Sequence, residues 1–257
     1  MKEFIGIGGF TRQPEGYMSW QHLTFVTSLI VVMTILAILL GIKNRNNSYN
    51  RKNRVLMLTA ILMDSVEIFK IAMICLRSES FSPIRHELPL FLCSIQLITI
   101  PLAAFSKGRL KEASLDFVTI FGILGMIFGT YFAGQNYACY PVLSLDNVTS
   151  GVTHSIAGFS ALYIMVSGMV SMKKKNIWIT FMILIAFCIA AYIANVLIDY
   201  NYMFLVEGDG TPYDIFYRLV NGSPVLYPMI VTGLFLAYII AFYGVYFMIA
   251  KRRRACR

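Results

Sequence analysis

The chain has 257 residues, 58% of them hydrophobic and 14% charged, with a formal net charge of +9. So much apolar side chain in long uncharged runs excludes an ordinary soluble domain and points to membrane spans. The positive charge sits in short blocks between the apolar runs. That is the pattern of membrane topology and not of a nucleic-acid surface, so no nucleic-acid partner is expected.

Seven segments approach the roughly 20 apolar residues that a helical crossing takes. Residues 1–22 are mixed polar, without a basic start running into an apolar core, and read as no cleavable signal peptide. The first span covers 23–42, and Lys43, Arg45, Arg51, Lys52 and Arg54 follow it. The second, 55–76, carries Asp64, Glu67 and Lys70. The third, 88–105, is short and contains Pro101; Lys107, Arg109 and Lys111 come behind it against Glu112. The fourth covers 115–134, with Ser114 placed to cap it and Asp116 near its positive dipole end. Within it Gly125 and Gly129 make a GxxxG spacing that permits close helix contact. The fifth, 152–172, leads into Lys173, Lys174 and Lys175, and the sixth is 177–198. The connector 199–224 holds Gly208, Gly210, Pro212, Gly222 and Pro224; a lid and an ordinary connection both fit it. The seventh span, 225–250, ends at Lys251, Arg252, Arg253, Arg254 and Arg257.

If all seven segments cross, every lysine- and arginine-rich connector falls on one side, and that side is the cytoplasm. Backbone groups in lipid must be satisfied within the segment, so the spans are helices. The expected fold is all-α: a single seven-helix transmembrane domain over residues 1–257, N-terminus outside and C-terminus cytoplasmic. Trp20, Trp178 and Tyr227 fall at the expected interfaces, where amphipathic rings settle.

Ionisable groups inside spans are expensive and invite a functional explanation. Asp64, Glu67 and Lys70 are three apart and share one helical face, where Glu67 and Lys70 can pair. An ion pair that fixes packing and the wall of a polar site or path are both open readings. Cys93 lies about five residues into the third span, roughly 7 Å deep at 1.5 Å per residue. His154 opens the fifth span, so both fall in the outer leaflet. A thiol becomes a nucleophile once an adjacent imidazole takes its proton; space-filling and a satisfied polar ring are the plain alternatives. Asn195, Asp199, Asn201 and Tyr202 gather at the outer end of the sixth span. There they can orient an imidazole, bind a polar head group, or form a solvated helix end.

Five cysteines (Cys75, Cys93, Cys139, Cys188 and Cys256) show no CxxC, and their odd number leaves at least one thiol unpaired within the chain. Cys75 and Cys139 both lie towards the outer side, where a disulfide between them is open. The histidines are His22, His86 and His154, and no metal-ligand spacing joins them to the cysteines. There is no Walker A loop, GxSxG, HExxH or GxGxxG, so neither metal nor cofactor is expected. Asn147-Val-Thr and Asn221-Gly-Ser are glycosylation sequons on the expected outer side.

Leu88-Pro-Leu-Phe-Leu-Cys-Ser is similar to the LPLHLC signature of the YwaF family of bacterial integral membrane proteins, whose eukaryotic relative is transmembrane protein 164. Asn201-Tyr-Met-Phe-Leu resembles the NYMYL segment of that family. Residues 214–227, with Gly222, Pro224 and Tyr227, resemble its GPWPWY region. His154 with Ser-Ile-Ala-Gly behind it resembles the histidine that opens its fifth helix. The resemblance runs over about 88–227. Two positions depart: the family's usual histidine before Leu-Cys is Phe91 here, and Ser223 and Val225 replace the tryptophans around Pro224.

The resemblance implies a seven-helix fold in the plasma membrane of a bacterium. By analogy with the eukaryotic relative it implies a phospholipid acyltransferase or transacylase, with Cys93 as nucleophile and His154 as base. Membrane lipids are then the partners, as substrate or environment, with Asn195, Asp199, Asn201, Tyr202, Glu67 and Lys70 as candidate binding residues. A transporter of small solutes or ions along the Asp64, Glu67 and Lys70 face, and a seven-helix sensor or scaffold, are the alternatives.

Overall fold

The computed structural model describes residues 2–170 and 172–255. Cys256 and Arg257 of the basic tail, and Ser171 inside the expected fifth span, lie outside the described residues.

Helices follow the apolar runs, and local chemistry sets their ends. One turn, α1 (Lys2–Ile5), precedes α2 (Trp20–Asn44). Ser19 caps α2, its hydroxyl accepting from the His22 amide at 3.2 Å, which satisfies an orphan donor of the first turn. α3 (Tyr49–Ser78) stops where Glu79 turns left-handed at φ 51°. Then follow α4 (Gln96–Phe105), α5 (Gly108–Tyr131), α6 (Gly134–Cys139), α7 (Leu145–Val166), α8 (Ile177–Ile198), α9 (Asp214–Leu219) and α10 (Leu226–Ala255). No strand occurs among the described residues, so the all-α expectation holds.

Trp20–Asn44, Gly108–Cys139, Lys174–Ile198 and Leu226–Arg252 are each long and apolar enough to cross a membrane. The chain is therefore a multi-pass integral membrane protein. α3 and α7 have 30 and 22 residues but carry more charged and polar groups. α4 has 10 residues, about 15 Å of helix against a hydrocarbon core of about 30 Å.

Several boundaries differ from the sequence expectation. Residues 88–95 form turns and not the start of a helix, because Pro89 holds Leu88 away from helical angles and Ser94 bonds the backbone of Phe91. α5 begins six residues ahead of Ser114, at Gly108 with φ +61°, since nothing in Arg109–Ala113 breaks a helix; Ser114 is thus a fully buried mid-helix residue and no cap. α7 begins at Leu145, where the Ser144 hydroxyl accepts from the Asn147 amide at 3.3 Å. It ends at Val166, before Gly168 at φ +74°, a helix stop that glycine adopts at low cost.

The chain packs as two compact units, Met1–Pro89 with Gln96–Ser171, and Leu90–Ile95 with Met172–Arg257. In the first, α7 packs against α2, α3 and α5, with Ala37, Leu56, Ala60, Ile100, Leu115 and Ile156 in one core cluster. Small residues allow the close approach: a Cβ on Gly122 would stand 2.7 Å from the Ala157 carbonyl oxygen, and one on Gly41 2.7 Å from the side chain of Val166. Hydroxyls in this interior bond back one turn, as Thr119 does to the Leu115 carbonyl at 2.8 Å and Ser160 to that of Ile156 at 2.9 Å, which makes them tolerable away from water.

In the last turn of α3, Arg77 makes a bidentate pair with Asp146 at 2.7 and 3.1 Å and donates to the Ile5 carbonyl at 3.2 Å. One fork thereby ties α3, α7 and the N-terminal turn together. Asn147, the first sequon, is fully buried and donates to the Tyr140 and Pro141 carbonyls, each at 3.0 Å; it is a clasp for the loop and closed to glycosylation. Asn221, the second, is exposed. Cys75 and Cys139 form no disulfide with each other.

In the second unit α8 packs on α10. The Thr180 hydroxyl meets the Tyr243 hydroxyl at 3.3 Å, and Tyr192 donates to the Pro224 carbonyl at 2.9 Å. The connector 199–224 is folded and not slack: Phe204 stacks on Tyr213 at 5.6 Å, and Tyr217 meets Tyr227 edge-on at 5.1 Å. Tyr227 is therefore buried, against the expectation of an interface position, whereas Trp20 and Trp178 are exposed.

Candidate functional site

Cys93 stands in the turn before α4, not inside a helix as its apolar neighbours suggested. The Ile95 amide donates to the Phe91 carbonyl at 3.0 Å, and the Ser94 hydroxyl accepts from the Phe91 amide at 3.0 Å. The thiol is half-buried on this short closed turn. Phe91, two residues ahead, anchors it. Its ring lies 4.9 Å from Tyr202, 6.1 Å from Tyr200 and 6.5 Å from Phe204, and Tyr200 and Tyr202 meet edge-on at 4.7 Å. Such offset aromatic contacts add about 0.5–1.5 kcal/mol each beyond area burial.

The other side of that cluster is a strained turn. α8 ends at Asp199, an exposed residue in the left-handed region at φ 53°. Met203 and Phe204 follow at φ 57° and 55°, conformations that cost non-glycine residues about 1–2 kcal/mol apiece. Two asparagines hold the turn. Asn195, 3% exposed, accepts from the Tyr202 amide at 2.6 Å and donates to the Tyr202 carbonyl at 3.0 Å. Asn201 accepts from Val206 at 3.1 Å and donates to the Glu207 carbonyl at 2.9 Å. Of the four residues expected to bind a head group here, these two therefore spend their amides on backbone. Tyr202 is fully buried in the aromatic cluster, and Asp199 is the one exposed to a ligand.

His154 lies in the first unit, nine residues into α7 and not at its opening, roughly 13 Å along the axis from Leu145. Its Nδ1 is 2.7 Å from the carbonyl of Ser150, one turn back. A carbonyl only accepts, so in the neutral ring Nδ1 carries the proton and Nε2 presents the lone pair. The ring's other face is fixed by α5: a Cβ on Gly129 would overlap Cδ2 and Nε2, and would stand 2.8 Å from Cγ. Gly129 belongs to the GxxxG spacing, and Gly122, one further turn back, also packs on α7. His22, by contrast, is a satisfied core histidine: Nδ1 accepts from the Met18 amide at 3.2 Å and Nε2 donates to the Thr130 carbonyl at 3.0 Å.

The third constellation is a triad, not the expected pair. Lys70 lies 2.5 Å from Glu67 and 2.8 Å from Glu87, with side chains 14%, 12% and 26% exposed. Glu87 reaches Lys70 from the turn ahead of Leu88, beyond anything helical spacing on α3 can show. With both carboxylates engaged, Lys70 is a tie between α3 and that turn. Asp64, on the same face, keeps one carboxylate oxygen buried without a hydrogen bond.

No curated protein and no solved structure matches the chain. A sequence model of one family does, over residues 17–249, a stretch that takes in the Cys93 turn, His154 and the Asn201 segment. By that match across most of its length, the chain belongs to the TMEM164 family.

Proposed function

We propose that this protein is a phospholipid acyltransferase or transacylase of the bacterial plasma membrane, acting in the extracytoplasmic leaflet. Its seven helical segments cross with the N-terminus outside and the basic connectors in the cytoplasm, as the lysine and arginine bias requires. Cys93 is the nucleophile and His154 the base. Imidazole Nε2 takes the thiol proton, and the thiolate attacks the ester carbonyl of a membrane phospholipid. The carbon–oxygen bond breaks, and the leaving alkoxide receives the proton back from His154. A hydroxyl of a second lipid then gives its proton to Nε2 and attacks the thioester, which returns the thiolate. No cofactor enters the balance.

The observation that carries this is the orientation of His154. The Ser150 carbonyl takes the Nδ1 proton and so sets the tautomer in which Nε2 carries the lone pair, the role that an orienting group plays for any catalytic imidazole. Family membership supports Cys93 as its counterpart, and the closed turn at Phe91 and Ser94 gives the thiol a fixed backbone. Asn195, Asn201 and Tyr202 act by positioning that turn's aromatic anchor, while Asp199 is left to meet a head group. Glu67 and Lys70 brace the chain ahead of Leu88.

The test is acyl transfer by the purified protein in vesicles holding a labelled phospholipid and an unlabelled lyso-phospholipid. The expected result is label on the acceptor and a hydroxylamine-sensitive acyl group on the protein. Both should be absent in Cys93→Ala, and both strongly reduced in His154→Ala. Transfer that persists in Cys93→Ala would sink the proposal.

A further inference from the structure

Two basic stretches mark one end of the second unit. Lys173, Lys174 and Lys175 precede α8, and Lys251 and Arg252 follow the apolar part of α10; all are exposed. Far apart in sequence, they are held at one level. The Lys174 ammonium lies 6.0 Å from the centroid of the Phe247 ring, within cation–π reach, and Lys251 is one helical turn beyond Phe247 on the same face. The Thr180–Tyr243 hydroxyl contact ties the same two helices nearby. Neither 172–198 nor 225–257 contains an aspartate or glutamate. Like charges gathered at one turn spacing repel, and these segments supply no carboxylate to offset them.

Exposed apolar side chains adjoin the cations. Trp178, the second residue of α8 and four residues past Lys174, is 73% exposed, and Met248 is 61% exposed three residues before Lys251. A ligand that satisfies both kinds of surface has phosphate next to acyl chains. The N-terminal end of α8 adds its own partial positive charge, and the Arg252 guanidinium can take two phosphate oxygens at once. We propose that this end of the α8–α10 pair is a binding site for the phosphate of an anionic glycerophospholipid. Lys174, Lys175, Lys251 and Arg252 take the phosphate, and Trp178 lies at the level of the glycerol. A soluble polyanion such as RNA would match the charge but leave Trp178 and Met248 uncovered. The site is independent of the acyl-transfer proposal, since it uses neither Cys93 nor His154.

The test uses the full chain in bilayer discs of phosphatidylcholine with phosphatidylglycerol. The phosphatidylglycerol retained after extraction into detergent is quantified by mass spectrometry. Retention should fall about fivefold for each of Lys174→Gln and Lys251→Gln, the value of one basic residue near an anionic surface. The double variant should lose less than the product of the two, because both serve one phosphate. Single substitutions leave the rest of each basic block in place, so insertion is preserved, and Lys174→Arg should retain lipid as the wild type does. Unchanged retention in the glutamine variants would overturn the proposal. So would losses that multiply independently, which describe two separate charge belts, or displacement of the lipid by an RNA oligonucleotide.

Discussion

Gly129→Ala puts the placement of His154 to a test of sign. Gly129 lies inside α5, so alanine there should gain about 1 kcal/mol of helix propensity if its methyl group met only space. It does not: the methyl would overlap the imidazole at Cδ2 and Nε2. Overpacking of this kind costs about 1–3 kcal/mol, and swinging the ring away gives up the Nδ1 bond to the Ser150 carbonyl, worth about 1 kcal/mol. The balance is a loss of roughly 1–3 kcal/mol where propensity alone predicts a gain. On the proposed mechanism, displacing Nε2 by about 1 Å should also cost acyl transfer on the order of a hundredfold. Unfolding midpoints in detergent and turnover in vesicles would be read together for four proteins: wild type, Gly129→Ala, His154→Ala and the double variant. With the ring gone the methyl has room, so Gly129→Ala should turn from destabilising to neutral or stabilising in the His154→Ala background. Gly244→Ala, where nothing lies within 4 Å, is the control and should leave turnover unchanged. A Gly129→Ala protein that is more stable than wild type and fully active would refute the placement.

Asn195→Ala strips the partner from the buried Tyr202 amide, while the Tyr202 carbonyl keeps the Leu205 amide at 3.3 Å; it should cost about 1–3 kcal/mol for the one orphaned group, measured by denaturant unfolding. Arg77→Lys keeps the charge but loses the fork on Asp146, so a loss of about 1–3 kcal/mol is expected; equal stability of the two proteins would show that the fork contributes nothing. The backbone amides of Arg12 and Thr11 hold the exposed Glu3 carboxyl below its ordinary value of 4.5. The clasp should therefore be complete above that pH and open as pH falls through the lowered value. Hydrogen-exchange protection of the Thr11 and Arg12 amides, normalised for intrinsic rate, would follow it, and protection that rises on acidification would contradict the assignment.

What the sequence discloses here depends on how local the cause is. α8 spans Ile177–Ile198, the very run expected, because a long apolar stretch with charge at its entry leaves one solution. The third span fails for an equally local reason. Leu88 to Cys93 is as apolar as a helix, but Pro89 and Ser94 favour turns, and short apolar runs do not reveal their conformation by periodicity. The α7 start was legible in Ser144 ahead of Asp146, a capping pattern outweighed by the pull of the apolar run further on. Glu67 with Lys70 follows from spacing along one helix. Glu87 on Lys70, and Asp146 on Arg77, join positions that only the folded chain brings together. The roles of Asn195 and Asn201 are not legible in sequence, because a polar cluster at a helix end looks the same whether it meets a ligand, faces solvent or ties down backbone.

Phe91 gives the Cys93 turn its particular character. Where relatives of this signature carry histidine, the phenyl ring packs among Tyr200, Tyr202 and Phe204. A ring in that place does not take a proton, so any base for Cys93 has to come from another element. It does serve the thiol in a second way. The strain at Met203 and Phe204 persists only because surrounding contacts over-determine it, and those contacts are the Asn195 clasp on one side and the Phe91 ring on the other. The turn that carries Cys93 and the turn that follows α8 thus hold each other in shape. Loss of chemistry on substitution of Asn195 would then be a loss of placement, with the thiol intact, and an acyl-transfer rate that recovers in Asn195→Gln but not in Asn195→Leu would separate the two.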